Sequence, residues 1–321
     1  MKHWYLPEGS RISSPENQEA LSSLAALERA MNNGTVLEAV ATLCDSELCL
    51  HVELPCAHGV IHPDEAVLCR EGERRKDIAI ITRVGKPVAF RVIAIESRDG
   101  APVAILSRRL AQRDYMQHLL TTLRQGDIIP AKVTHLEPFG AFLDIGCGIS
   151  SLLSVDCISV SRITHPRDRL RVGMDLFVVV KSIDLENRRI YASLRELLGT
   201  WEENAARFEV GQTVAGIIRS VESYGVFIEL SPNLAGLAEL RGEGMEELRC
   251  RIGHSAAVYI KSIVPERMKI KLILIDSSNV APPEKKLTYY VNPEATPHLS
   301  RWLYSPLGAC KVVESIFDAP Q

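Results

Sequence analysis

The chain has 321 residues, 46% of them hydrophobic and 24% charged, which excludes a wholly disordered or collagen-like protein. Lys and Arg number 37 against 40 Asp and Glu, a formal charge of −3. That excludes a strongly basic, histone-like nucleic-acid binder but leaves room for a local basic stripe.

At roughly 100–200 residues per domain, this length predicts two or three domains. An aromatic content of 6% suits several small cores better than one broad core. The N-terminus, MKHWYLPEGS, lacks the apolar core and cleavage site of a signal peptide. No run approaches the ~18 apolar residues that a membrane span needs, so no membrane partner is expected. The eight cysteines include no CxxC pair, and the expectation is buried thiols in a reducing cytoplasm.

The first predicted element is a helix. Ser14-Pro15 precedes ENQEALSSLAALERAM, with a capping serine, proline in the first turn and an apolar stripe at Leu21, Leu24, Ala25 and Leu27. A repeat then begins. Gly126 and Gly211 each open a β-branched run, and fourteen residues later stands an aromatic–Gly–small–Phe cluster, Phe139-Gly140-Ala141-Phe142 or Tyr224-Gly225-Val226-Phe227. Val172-Gly173 and Ile252-Gly253 open the second half of each copy, with Ile190 and Ile270 seventeen residues beyond the glycine. A weaker copy lies upstream, from Gly34 through Val84-Gly85. Leu106, Leu194 and Leu274 each fall twenty-one residues after the mid-repeat glycine.

Each copy reads as about five short strands with period-two alternation, as in VAFRVIAI and FVVVKSI, and that size suits a small closed barrel. The connectors 107–123 and 194–208 read as helices, the latter in two pieces because of Gly199. In the tail, Ala281-Pro282-Pro283 reads as a linker and LTYYV as a strand. Trp302, Tyr304 and Phe317 are too apolar for a free end, so packing is expected. The organisation expected is 1–33 helical, three barrels over 34–118, 119–198 and 199–276, and a C-terminal extension over 277–321.

Two exposed rings on one barrel face would make a stacking platform for bases. Equally, both rings could be core. The middle copy has the most basic balance, with Lys132 before the cluster, Asp184, Arg188 and Arg189 on a late hairpin, and Arg162, Arg167, Arg169 and Arg171 in between. A solvated face explains those charges as well. Asp144 and Glu229 follow the aromatic strands, where solvated turns are expected to hold them. Cys44, Cys49, His51, Cys56, His58, His62 and Cys69 are crowded, but their irregular spacing argues against zinc. No GxxxxGK[ST], GxSxG or HExxH is present, so no catalysis is expected.

The second copy resembles the ribosomal protein S1-type RNA-binding domain, an OB-fold barrel. The resemblance is carried by GDIIPAKV, FGAFLDIG, SSLLSVDCIS, RVGMDLFVVVKSID and RRIYASL. It is specific over 124–230 and looser over 34–118, where HGVIHPDEAV and LSRRLAQ match a turn and a closing strand. It implies RNA binding through Phe139, Phe142, Asp184 and Arg189, with Lys132 and Arg188 beside them. Ser154 stands where the family carries a turn histidine. The third copy keeps Tyr224 and Phe227, has Lys269 in the place of Arg189, and carries Glu239 and Val264 at the histidine and aspartate positions. The first copy has Leu48 and Cys49 around the aromatic position and no rings, which suits protein docking or a structural role.

The fold expected is therefore mainly β: three tandem five-stranded OB-fold barrels with helical connectors, an N-terminal helix and a small C-terminal extension. The function expected is single-stranded RNA binding, with mRNA as the RNA, in translation or RNA metabolism, without cofactor or metal. The small ribosomal subunit or another protein is the partner expected for 34–118. Two other readings stay open: a protein-interaction scaffold that has lost RNA affinity, and an RNA-processing enzyme.

Overall fold

The structure is a computed structural model and describes residues 6–69, 74–240, 245–278 and 287–318. It contains three closed five-stranded barrels in tandem. The first is built from β1 (Leu37–Cys44), β2 (Leu50–Leu54), β3 (Ala57–Ile61), β4 (Pro87–Arg98) and β5 (Ala101–Ser107). The second comprises β6 (Ile128–Glu137), β7 (Gly140–Asp144), β8 (Ser150–Ser154), β9 (Asp175–Asp184) and β10 (Arg189–Ser193). The third comprises β11 (Thr213–Glu222), β12 (Gly225–Ser231), β13 (Leu234–Ala238), β14 (Ser255–Val264) and β15 (Lys269–Ser277).

All three share one topology. The first three strands form an antiparallel meander, the last two form a hairpin, and the third strand pairs parallel with the fifth to close the barrel. Closure removes the exposed edges that so small a sheet would otherwise present. Alternation sets the two faces. In the second barrel Val133, Ala141, Leu143, Leu153, Val178, Val180 and Ile190 point inward and are buried. Phe142, Leu152 and Tyr191 point outward between them.

The N-terminal segment is two helices rather than one, α1 (Pro15–Leu21) and α2 (Leu24–Asn32). The predicted helix breaks at Ser22-Ser23 because Ser23 adopts extended backbone and caps the second helix, accepting from the Ala26 N–H at 3.3 Å. A one-turn helix α3 (Ile78–Ile81) precedes β4, and α4 (Arg108–Thr122), capped by Ser107, leads into the second barrel. The connector at Gly199 is in two pieces. A 3-10 turn over Arg195–Leu198 meets Gly199 at φ +84, and α5 (Trp201–Ala205) then starts in a Thr200/Glu203 capping box. A further short helix, α6 (Met245–Arg249), precedes β14.

Two buried polar joints tie neighbouring barrels together. At the first, the Glu8 carboxylate accepts from Arg108 Nε at 2.7 Å and from the Ala89 N–H at 3.1 Å, while the Glu8 N–H donates to Asp144 at 2.8 Å. Burial, with Glu8 close by, pushes the Asp144 carboxyl up to about 7. At the second joint, the fully buried Asn233 accepts from the Val160 N–H at 2.9 Å and donates to the carbonyls of Arg195 and Gly199, both at 2.8 Å.

The C-terminal extension packs on the barrels, but LTYYV is not a strand. The segment lies as a strap in which Tyr289 Oη accepts from the Phe177 N–H at 3.0 Å and the Tyr290 N–H donates to the Leu197 carbonyl at 2.9 Å. Its rings take the second barrel's side, and a ladder to a sixth strand has no place on a closed barrel. Beyond it β16 (Arg301–Leu303) and β17 (Glu314–Ile316) form a small hairpin. Trp302 and Tyr304 are buried in the third barrel's core, and Phe317 packs against the second. Ala281-Pro282-Pro283 lies outside the described residues.

Candidate nucleic-acid interface

Strand register decides which outward side chains share a face. In the second barrel one row runs across four strands, His135 (β6), Phe142 (β7), Leu152 (β8) and Tyr191 (β10). The third barrel repeats it as Ser220, Phe227, Leu237 and Lys271, and the first as Leu43, His51, Val60 and Ile105. The same bulge in the opening strand sets all three rows, at Ala41/Leu43, Val133/His135 and Ile218/Ser220. The bulge reorients the opening strand so that one extra residue faces out beside the ring.

The exposed ring of each pair sits just before its strand. Phe139 lies in the hairpin turn and is 56% exposed; Tyr224 holds the matching place at 51%. Phe139 and Phe142 stand edge to face with centroids 6.1 Å apart at 90°, and Tyr224 and Phe227 at 6.2 Å and 87°. All four rings therefore face outward, which removes the core alternative. Glycine between the two rings is required by a close approach. A Cβ on Gly140 would meet the Leu153 carbonyl at 2.5 Å, and one on Gly225 would meet the Ala238 carbonyl at 2.4 Å. The backbone of the third strand thus lies directly over that glycine.

The late hairpin borders the same face. Arg189 stands opposite Asp184, one outward position from Tyr191 on β10. Asp184 accepts from the Asn187 backbone N–H and side-chain amide, both at 2.9 Å. Those bonds, with the Arg189 charge nearby, hold its carboxyl below the usual range. Asp184 thus folds the turn that presents Arg188, which takes φ +49, and Arg189, both exposed. In the third barrel Lys269 is likewise exposed at the start of β15, opposite Val264, and Lys271 follows it at 3.6 Å from Glu239. Ser154 stands outward across from Gly140.

Lys132 is placed differently from the expectation. It lies on the outer face opposite Asp144, but the N-terminal segment covers that end. Its Nζ is 3.4 Å from the Glu8 carbonyl and 3.4 Å from Asp175. Asp144 and Glu229 are not in solvated turns either; each is only 4% exposed, Asp144 because the Glu8 joint encloses it and Glu229 because Arg169 and Arg219 close over it. In Asp144's case the Gly146 and Gly148 N–H groups, at 2.8 and 3.0 Å, fold the following turn onto it.

Besides Lys271 on β15, sequence reasoning missed three residues on these faces. Tyr191 and His135 lie outside the aromatic cluster, and only register puts them in one row with Phe142: His135 next to it, with ring centroids 6.3 Å apart, and Tyr191 beyond Leu152. The third is His51, which takes the Phe142 position in the first barrel, where no ring was expected. It is joined to Asp45 and to His58 at 2.9 Å each, and His58 to Glu53 at 2.9 Å. Among the described residues no group of three or more His, Cys, Asp or Glu is placed to hold a metal ion, and all eight cysteines are free thiols. No helix among them is long and apolar enough to cross a membrane.

Residues 122–195 match the S1 RNA binding domain family. The second barrel is an S1 domain. Small ribosomal subunit protein bS1 of Staphylococcus aureus (strain COL) is 31% identical over 200 residues, 61% of this chain and 49% of that protein. The bS1 homolog of Bacillus subtilis (strain 168) is 32% identical over 160 residues, 49% of this chain and 41% of that protein. The chain spans about half the length, or less, of these curated relatives. Within this S1-like chain the second and third barrels share the two-ring face, and the first keeps the barrel without it.

Proposed function

We propose that the chain binds single-stranded RNA across the outer faces of the second and third barrels, without catalysing a reaction on it. The observation that carries this is the duplicated ring pair, set at 6.1 and 6.2 Å in two barrels and turned outward in both. Bases stack on such rings whatever their sequence, and flanking Arg and Lys contact phosphates. Arg188 and Arg189 take that role on the second barrel, and Lys269 and Lys271 on the third. Phe139, Phe142, Tyr224 and Phe227 take the bases, with Tyr191 extending the second platform. Lys132 contributes charge from beneath the N-terminal segment rather than a direct contact.

The RNA proposed is mRNA, the compartment is the cytoplasm and the setting is translation or RNA metabolism, in keeping with similarity to bS1 proteins. The first barrel serves a protein contact, with the small ribosomal subunit or another protein, because the Asp45–His51–His58–Glu53 chain occupies the place where the other barrels hold rings. A filter-binding titration of the full chain with a single-stranded oligonucleotide at low and moderate salt tests the proposal. Salt-dependent binding supports it. No binding at low salt favours the scaffold reading.

A further inference from the structure

A cavity of about 610 Å³ lies where the loop before β9, the third barrel and the C-terminal strap meet. That is the volume of a small-ligand pocket, roughly 300–1,000 Å³. Five arginines line it: Arg167, Arg169 and Arg171 from the loop, Arg207 after α5, and Arg219 on β11. Two carboxylates join them, Asp168 and Glu229. A chain with formal charge −3 thus gathers five guanidiniums into one recess.

Both carboxylates are engaged by the two innermost arginines. Arg169 and Arg219 have side chains only 5% and 7% exposed, and both bond the same Glu229 oxygen, Arg219 Nε at 2.6 Å. Arg219 also lies 3.4 Å from Asp168. Even so, Arg169 Nε is buried without a hydrogen-bond partner. Burial, with Arg219 close by, lowers the affinity of Arg169 for its proton. Buried like charges with an unmet donor are stabilised by an anion. Guanidinium forks match phosphate oxygens in pairs. The space exceeds a bare phosphate, and Leu198, Leu230, Leu287 and Tyr290 supply walls for a base and sugar.

We infer that this cavity binds the phosphate of a nucleotide, either a free nucleotide or a phosphate within an RNA chain. None of the four platform rings lines it, so the inference stands apart from the outer-face reading.

The test is calorimetric titration of the full chain with ADP, and with adenosine as the phosphate-free control. The variant is Arg167→Gln with Arg207→Gln, both exposed positions, checked for retained fold by circular dichroism. A free-nucleotide site binds ADP at least about tenfold more tightly than adenosine and loses about tenfold in the variant. If ADP does not bind, but the variant weakens single-stranded RNA binding by about tenfold, the phosphate belongs to the RNA chain. The inference is overturned if ADP binding does not respond to the variant. It is also overturned if ADP fails to bind and RNA affinity stays within about twofold.

Discussion

Phe139→Ala tests the platform most directly, because truncation there removes a ring the fold hardly uses. Phe139 is 56% exposed in a turn, and its edge-to-face contact with Phe142 spans 6.1 Å between centroids. Loss of so exposed a side chain should change unfolding free energy by no more than about 0.5 kcal/mol. A base stacked on that ring is worth ~1–3 kcal/mol. At roughly 1.4 kcal/mol per tenfold, the Kd for single-stranded RNA should rise by about 5- to 140-fold. Fluorescence anisotropy with an RNA of roughly 12 nucleotides, within the span of one OB fold, reads this directly. Urea unfolding of the same sample confirms that the barrel is intact. Tyr224→Ala should show a loss of the same kind on the third barrel. If one strand crosses both platforms, the double variant should lose close to the product of the two effects. A Phe139→Ala protein that is folded and binds RNA within about twofold of the parent would refute the stacking argument.

Three further outcomes follow from the same geometry. Arg188→Ala and Arg189→Ala should each lower the slope of log K against log salt by about 0.7, the value for one phosphate on a single strand, while an unchanged slope removes them from the phosphate contacts. Gly140→Ala places a Cβ 2.5 Å from the Leu153 carbonyl and 3.0 Å from Ser154 Cα, both backbone, so urea denaturation should show a loss of about 1–3 kcal/mol; parent-like stability would mean that β8 can move away. The third concerns pH. Burial opposes a charge on His298, but Asp127 at 2.7 Å and Asp318 at 3.2 Å outweigh it, and its pKa is raised above the ordinary value. The stabilisation is therefore complete below the unfolded value of about 6.5 and is lost as pH rises through the folded one. Protection of the Ile128 and Leu299 amides, which bond the Pro297 and Gly126 carbonyls at 2.8 Å, should fall as pH rises from about 6.5 into the alkaline range. His298→Gln should abolish that trend, and equal protection at both ends of the range counts against the linkage.

The three barrels were legible because a closed five-strand meander repeats its own grammar. Alternating β-branched runs, mid-repeat glycines and a ring–Gly–small–Phe turn recur at fixed spacing, and each element has a local cause. The helix break at Ser22-Ser23 was less visible, since two good helix segments in sequence look like one until Ser23 turns extended. LTYYV carries a strand's composition, yet a closed barrel offers it no edge to pair with.

Charge at −3 described the whole chain and concealed where its positive residues gather. By itself, the sequence determined the repeat, the barrel class and the positions of Phe139, Phe142, Tyr224 and Phe227. These depend on neighbours along the chain and on period-two alternation. Only the tertiary structure decided which residues share a face. Barrel closure sets β10 beside β8 and so brings Tyr191 into line with Phe142, and the bulged register of β1 on β2 puts His51 where a ring was missing. Only the packing of one barrel on the next buried Asp144 and Glu229 and turned a run of loop arginines into the lining of a cavity. Those contacts join residues sixty or more apart in the chain, and no local pattern encodes them.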